Sequence, residues 1–178
     1  WSLFNPHHAL NDVFYDGIAS LPNFGPLLPR PETEDVREYF LAWLAGDGHP
    51  FWPFWENIRT WWETRNLPNM YFLHFQNLVD DLEGTMRKIA AFLDIPIDES
   101  KWDLMVHHCG FDYMKKNATL STPLGGVIFT GGADSFIFKG INDRWRDTLN
   151  KADIEAYEGR ALVEVGPECA HWLATGKF

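Results

Sequence analysis

Uninterrupted apolar stretches are short throughout the 178 residues. None approaches the roughly 20 residues that a membrane-spanning helix needs, which excludes a helical span within this sequence. Cysteine is scarce: Cys109 and Cys169 stand alone and far apart. That excludes a disulfide-stapled scaffold and matches no metal-ligand spacing, so two reduced thiols are expected. Positive charge is in deficit, with 15 Lys and Arg against 25 Asp and Glu for a net charge of -10. Nucleic acid and anionic membranes need a positive field over a wide surface, so neither is an expected partner. An anion could be held only by a small, focused site. Several motifs are missing as well. None of the seven lysines completes a Gly-x-x-x-x-Gly-Lys-Ser/Thr loop, and there is no Gly-x-Ser-x-Gly elbow or His-Glu-x-x-His pair. An initiator methionine is also lacking: "WSLFNPHHAL" opens as if inside an element, and a fragment is expected.

Apolar residues make up 46% of the chain and aromatic residues 16%, enough for a globular core, and one domain over residues 1–178 is expected. Leu3, His7, Leu10, Phe14 and Ile18 recur at helical spacing and predict a helix under way at residue 1, kinked at Pro6. Pro22, Pro26, Pro29 and Pro31 mark an irregular connector. A short helix carries Val36, Phe40, Trp43 and Leu44. The next, with Pro53 in its first turn, buries Phe51, Trp55, Ile58 and Trp62. Its tryptophans are read as core rather than as a binding box.

"MYFLHF", Met70 to Phe75, is apolar on both faces and of strand length, which suits an interior strand of a parallel sheet. A helix with Leu82, Met86, Ile89, Ala90 and Leu93 on one face follows, and helix-strand-helix order argues an α/β fold. Two short helices meet at Gly110. Residues 118–135, with two Gly-Gly pairs and no periodicity, read as a mobile lid loop. A last helix is capped at Asn150, weakened at Gly159 and ended near Gly166-Pro167, with one more short turn after it.

Three constellations bear on chemistry. Lys139-Gly140, with Arg144 and Arg146 close behind, suits a phosphate: glycine lets the backbone approach an anion and lysine adds a point charge. On pattern alone an ordinary solvated turn is the commoner reading. Phe111 and Met114 share a helix face, either as core or as a platform for a nucleobase. His7-His8 and His107-His108 diverge by about a hundred degrees along a helix, unlike metal-binding pairs at i, i+4, and no metal is expected.

In order, "NMYFLHFQNLVDDLEGTMRKIAAFLDIPI", "HHCGFDYMKKN" and "FIFKGINDRWRDTL" resemble the carboxy-terminal half of the cytosolic-type sulfotransferases dependent on PAPS (3′-phosphoadenosine 5′-phosphosulfate). With the last helix they cover most of residues 68–173. The resemblance implies a three-layer α/β fold akin to P-loop NTPases, here truncated at its amino-terminal side and rich in helix. It also implies sulfuryl transfer from PAPS to a hydroxyl or amine of a small-molecule acceptor, in the cytoplasm and without a metal.

By the same resemblance, Lys139 and the Gly140 backbone hold the 3′-phosphate and Phe111 stacks on adenine beside Cys109, Gly110 and Met114. Phe136 and Phe138 line the cleft, Phe75 replaces an adenine-contacting tyrosine, and the Ser2 hydroxyl reaches the phosphate. The first helix and the proline-rich connector would line part of the acceptor pocket. Phe138 stands where many members carry an arginine, a loss of about 1.5–3 kcal/mol that Arg144 or Arg146 could offset. The family's Lys-x-Gly-Thr-Thr loop and histidine base have no counterpart in residues 1–178, so the chain is expected to bind nucleotide and to be inactive alone. The competing reading is a non-catalytic module of the same fold that binds a nucleotide or a protein; a P-loop kinase half fits less well.

Overall fold

The computed structural model describes residues 2–22 and 28–178. Trp1, where the first helix was expected to be under way, and residues 23–27 of the proline-rich connector lie outside the described residues, as does the Ile18 side chain of the expected first stripe. In chain order the helices are α1 (Phe4–Ala9), α2 (Asp12–Ala19), α3 (Val36–Ala45), α4 (Phe54–Glu63), α5 (Phe75–Asp80) and α6 (Leu82–Phe92). They continue as α7 (Glu99–Cys109), α8 (Phe111–Lys116), α9 (Ala118–Ser121), α10 (Ala133–Phe136) and α11 (Lys151–Thr175), with 3-10 turns at Pro123–Gly126 and Arg144–Asp147.

No strand is present among the described residues; one isolated antiparallel bridge joins Leu10 to Phe129. The strand expected at Met70–Phe75 is therefore corrected. Residues 70–74 are irregular, Phe75 already belongs to α5, and His74 caps that helix through Nδ1, which accepts from the Gln76 N–H at 3.3 Å. A strand is stable only when a neighbour takes up its backbone donors and acceptors. No described segment does so here, and the apolar side chains of Tyr71, Leu73 and Phe75 are exposed. The expected single opening helix is also two. Pro6 sits in the first turn of α1, where its missing N–H costs nothing and no kink is needed. The break falls instead at Leu10-Asn11, because Asn11 Oδ1 accepts from the Val13 and Phe14 N–H groups at 3.0 and 3.4 Å and so caps α2.

The contacts group the chain into two compact units, each built from an early and a late stretch. The first comprises Trp1–Phe51 and Phe111–Leu149. Asp35 caps α3, its Oδ1 accepting from the N–H groups of Arg37 and Glu38 at 2.8 and 2.9 Å. His7, only 3% exposed, ties α1 to the connector and to α3. Its Nε2–H donates to Pro29 O at 2.7 Å, and since a carbonyl only accepts, Nδ1 is left to accept from the Tyr39 hydroxyl at 2.8 Å. Burial pushes the Tyr39 phenol up to about 12 and holds the His7 imidazole below its ordinary value of 6.5, against the raising effect of the Pro29 bond. Residues 118–135 carry more local structure than their glycine content suggests. Short helical turns bury Ala118, Thr122, Phe129 and Ala133, and the Thr130 N–H donates to Ala9 O at 2.6 Å.

The second unit comprises Trp52–Gly110 and Asn150–Phe178, with α4 packed along α11. Trp55 and Trp62 are buried at 1% and 8% exposure, whereas Trp52 and Trp61 are more than half exposed, so two of the four tryptophans expected in the core are there. Trp55 meets Tyr157 at 5.6 Å between ring centroids, and Trp62 meets Trp172 at 5.7 Å. Asn150 opens α11 with a capping box: its side chain accepts from the Asp153 N–H at 3.1 Å while Asp153 accepts from the Asn150 N–H at 3.0 Å. The helix runs through Gly159 and kinks at Gly166, whose φ of +76 precedes Pro167, but where one short turn was expected after it the chain stays helical to Thr175. Its far end is fastened to α5 by Asn77, which donates to Gly176 O at 2.9 Å, and by the His74 Nε2 contact to Leu173 O at 3.0 Å.

Two outcomes are expected. Trp55→Ala leaves a cavity against Tyr157 and lowers stability by about 3–5 kcal/mol, while Trp61→Ala changes it by no more than about 0.5 kcal/mol, read from urea unfolding followed by circular dichroism. Because the folded state holds His7 below its unfolded value, the His7 contribution to stability is complete above pH 6.5 and is lost as pH falls below it. The midpoint of unfolding should drop on acidification from that point, and less steeply in His7→Gln.

Candidate functional site

The sequence-predicted residues fall in both units. Phe75 opens α5 and is 61% exposed, Cys109 is the exposed last residue of α7, and Gly110 ends that helix by donating its N–H to His107 O at 3.1 Å; all three belong to the second unit. Ser2, Phe111, Met114, Phe136, Phe138, Lys139 and Gly140 belong to the first. There Ser2 is exposed just ahead of α1, and Met114 is half-buried on α8.

The first unit brings Phe111 and Gly140 into direct contact. A Cβ added to Gly140 would lie 2.6 Å from Phe111 Cδ2 and Cε2, closer than any side chain tolerates. Gly140 also has φ +60, a region that glycine enters without penalty. Both requirements exclude a side chain here. The bare backbone therefore closes on the aromatic ring that opens α8, and Lys139 precedes it in the chain.

Lys115 holds this arrangement in register, and pattern reading missed it. Its ammonium donates to the backbone oxygens of Asp134, at 2.9 Å, and of Ile137, and pairs with the Asp134 carboxylate at 3.3 Å. One turn of α8 is thereby tied to the chain that runs into Phe138-Lys139-Gly140. The available signal was a lysine one position after Met114 on the helix bearing Phe111, but lysines are so often solvated that position alone does not identify a tie. Phe136 packs on the buried Phe129 with ring centroids 5.1 Å apart, which anchors the same segment from its other side.

Beyond the tie, cations gather on one ring. Lys139 Nζ lies 5.2 Å from the Phe138 ring centroid, and Arg144 Cζ lies 5.1 Å from it, both within cation–π range. Arg146 is engaged elsewhere, over Trp145 at 4.3 Å and 3.7 Å from Asp143 Oδ1. Asp143 Oδ1 also accepts from Trp145 Nε1 at 3.2 Å. No ion pair joins Lys139 to a carboxylate among the described residues. The cluster thus combines an aromatic face, an accessible glycine backbone and positive charge, a set suited to a phosphorylated aromatic ligand. His7-His8 stands on α1 and His107-His108 on α7, and no group of three or more His, Cys, Asp or Glu able to hold a metal occurs among the described residues. Nor is any helix among them long and apolar enough to cross a membrane.

Comparison with known proteins bears on this geometry. A family model described as the sulfotransferase domain matches residues 10–160. Sulfotransferase 1B1 of Mus musculus is 30% identical over 132 residues, which is 73% of this chain and 43% of that protein. Sulfotransferase 1E1 of Homo sapiens is 28% identical over 130 residues, 72% of this chain and 44% of its own. The 3-alpha-hydroxysteroid sulfotransferase of Cavia porcellus is 24% identical over 154 residues, 86% and 51% of the two chains. The chain thus spans about half the length of these curated relatives. Among solved structures, that of mouse sulfotransferase SULT7A1 complexed with PAP, at 21% identity, matches with a TM-score of 0.67 over 99% of this chain and 58% of that one. The architecture built of these helices is therefore that of a sulfotransferase, and with the domain model matched over residues 10–160 the chain belongs to the sulfotransferase family.

Proposed function

We propose that this chain forms the nucleotide-holding part of a PAPS-dependent sulfotransferase acting on a hydroxyl or amine of a small-molecule acceptor. The observation that carries the reading is the contact of the Gly140 backbone with the Phe111 ring beside Lys139, in a chain of this family. In this reading Lys139 and the Gly140 N–H hold the 3′-phosphate, and Phe111 with Met114 faces adenine. Phe136 and Phe138 line the same cleft, and Ser2 adds a hydroxyl to the phosphate. Residues 118–135 serve as the lid over the bound nucleotide. Support comes from the family match and from a solved relative of the same fold that holds PAP.

PAPS supplies the sulfuryl group: the acceptor oxygen or nitrogen gains a bond to sulfur, the bridge oxygen–sulfur bond breaks, and PAP leaves. That exchange also requires a base on the acceptor and positive charge on the departing bridge oxygen. Residues 1–178 contain no Lys-x-Gly-Thr-Thr run and no histidine that the resemblance assigns as the base. The proposal is accordingly that the chain binds nucleotide and does not turn over by itself. A second reading is a module of the same fold that binds without chemistry; both readings share the site, and they part on whether sulfate transfer to any phenol or amine can be detected.

Calorimetric titration with PAP tests the shared part. Lys139→Ala should weaken binding at least about tenfold, the effect of losing one charge-assisted phosphate contact. Equal affinities for variant and parent would refute the assignment of Lys139.

A further inference from the structure

We infer that Lys115 is a positioning residue for nucleotide binding: by tying α8 to the chain that runs from α10 to Gly140, it sets the separation between the Phe111 ring and the Lys139 ammonium. The inference rests on the nucleotide reading above and assigns a function to a residue outside the proposed ligand contacts.

Phe111 and Lys115 are four positions apart in α8, so they share one face of that helix, a turn apart. The segment from Asp134 to Gly140 is held to that face at two points. Lys115 Nζ donates to Asp134 O at 2.9 Å and to Ile137 O, and the Gly140 backbone lies against the Phe111 ring. Lys139 stands between the two attachments, two residues after Ile137 and one before Gly140. The attachments differ in what they specify. Contact of a glycine with a ring is dispersion alone, which tolerates sliding. Bonds from an ammonium to two backbone oxygens are charge-assisted and directional, and they fix where along α8 the segment lies.

Neither partner would keep this register alone. α8 has six residues, and a helix that short is marginal without tertiary support. In α10 the helical donor to Asp134 O would be the Phe138 N–H, which turns back to Phe136 O at 3.0 Å instead. Asp134 O and the C-cap oxygen of Ile137 are thus left over by the helix, and Lys115 takes up both. The Asp134 carboxylate at 3.3 Å adds less, because its side chain is 77% exposed. A ligand that must meet an aromatic ring and a cation at once gains from finding them already ordered. A ligand that meets only the ring gains little from the tie.

Titration calorimetry of the chain with PAP and with adenosine 5′-monophosphate, which lacks the 3′-phosphate assigned to Lys139, tests the inference. Lys115→Met should weaken PAP about tenfold and adenosine 5′-monophosphate less than about twofold. Lys116→Met, which removes the same charge from an exposed neighbour, should change either affinity less than about twofold. In the Lys139→Ala background, Lys115→Met should cost little more, since its effect passes through Lys139. Lys115→Arg should recover part of the PAP affinity, because a guanidinium can also donate to both oxygens. Should Lys115→Met not fold, as read by circular dichroism, Lys115→Gln takes its place, with an expected loss of about threefold for PAP. Equal weakening of both nucleotides by Lys115→Met would make the lysine purely structural. Equal weakening of PAP by Lys115→Met and Lys116→Met would reveal a general charge effect, and either result overturns the positioning role. If Lys139→Ala weakens PAP and Lys115→Met does not, the inference is wrong and the nucleotide reading stands. If the parent binds neither nucleotide, both the reading and the inference fail.

Discussion

The site in the first unit depends on the ammonium of Lys115. By reaching two backbone oxygens and the Asp134 carboxylate, it fixes α8 against the chain that leads to Lys139, and with α8 it fixes the Phe111 ring. Backbone oxygens near the end of a short helical turn would otherwise need water, and the lysine satisfies them while bringing two sequence-distant segments together. The close approach of Gly140 to Phe111 then needs only the absence of a Cβ. One long polar side chain and one missing methyl group are enough to place an aromatic face beside an accessible backbone.

The second unit rests on a different device, aromatic packing between α4 and α11. Trp55 and Trp62 lie on the face turned to Tyr157 and Trp172, and the charges at its edge, Arg59 with Glu164 and Arg65 with Glu168, are partly exposed pairs of modest worth. Buried apolar area, at about 25 cal/mol per Å², outweighs such pairs in holding the helices together. The Gly166 break in α11 redirects the chain so that its last turns reach α5 through Asn77 and His74.

Much of this was legible in the sequence, and the failures have physical causes. Helical spacing located α3, α4 and α6, the Asn150 cap and the Gly166 break, because capping and the 3.6-residue period are local properties. The segments "HHCGFDYMKKN" and "FIFKGINDRW" singled out Phe111, Lys139 and Gly140 as candidates, and the structure brings Phe111 and Gly140 into contact. The Met70–Phe75 run was misread as a strand because strand identity depends on a partner that composition cannot reveal. Lys115 escaped notice because a lysine bound to carbonyl oxygens looks, in sequence, like any solvated lysine. The surroundings of Arg144 and Arg146 likewise required geometry: both follow the Lys-Gly pair, but only coordinates show that one lies over the Phe138 ring and the other over Trp145.

The cation pair on Phe138 has a consequence for kinetics. It is a small positive feature on a chain of net charge -10, so at low ionic strength the carboxylates set the long-range potential, which salt screens beyond a Debye length of about 8 Å at physiological ionic strength. Under the proposed nucleotide reading, a multiply charged anion would be repelled at long range at low ionic strength and attracted only in the final approach. Raising the ionic strength should therefore quicken encounter by screening the distant repulsion and, at the same time, shorten residence by weakening the local grip. Association and dissociation would then respond to salt by separate routes.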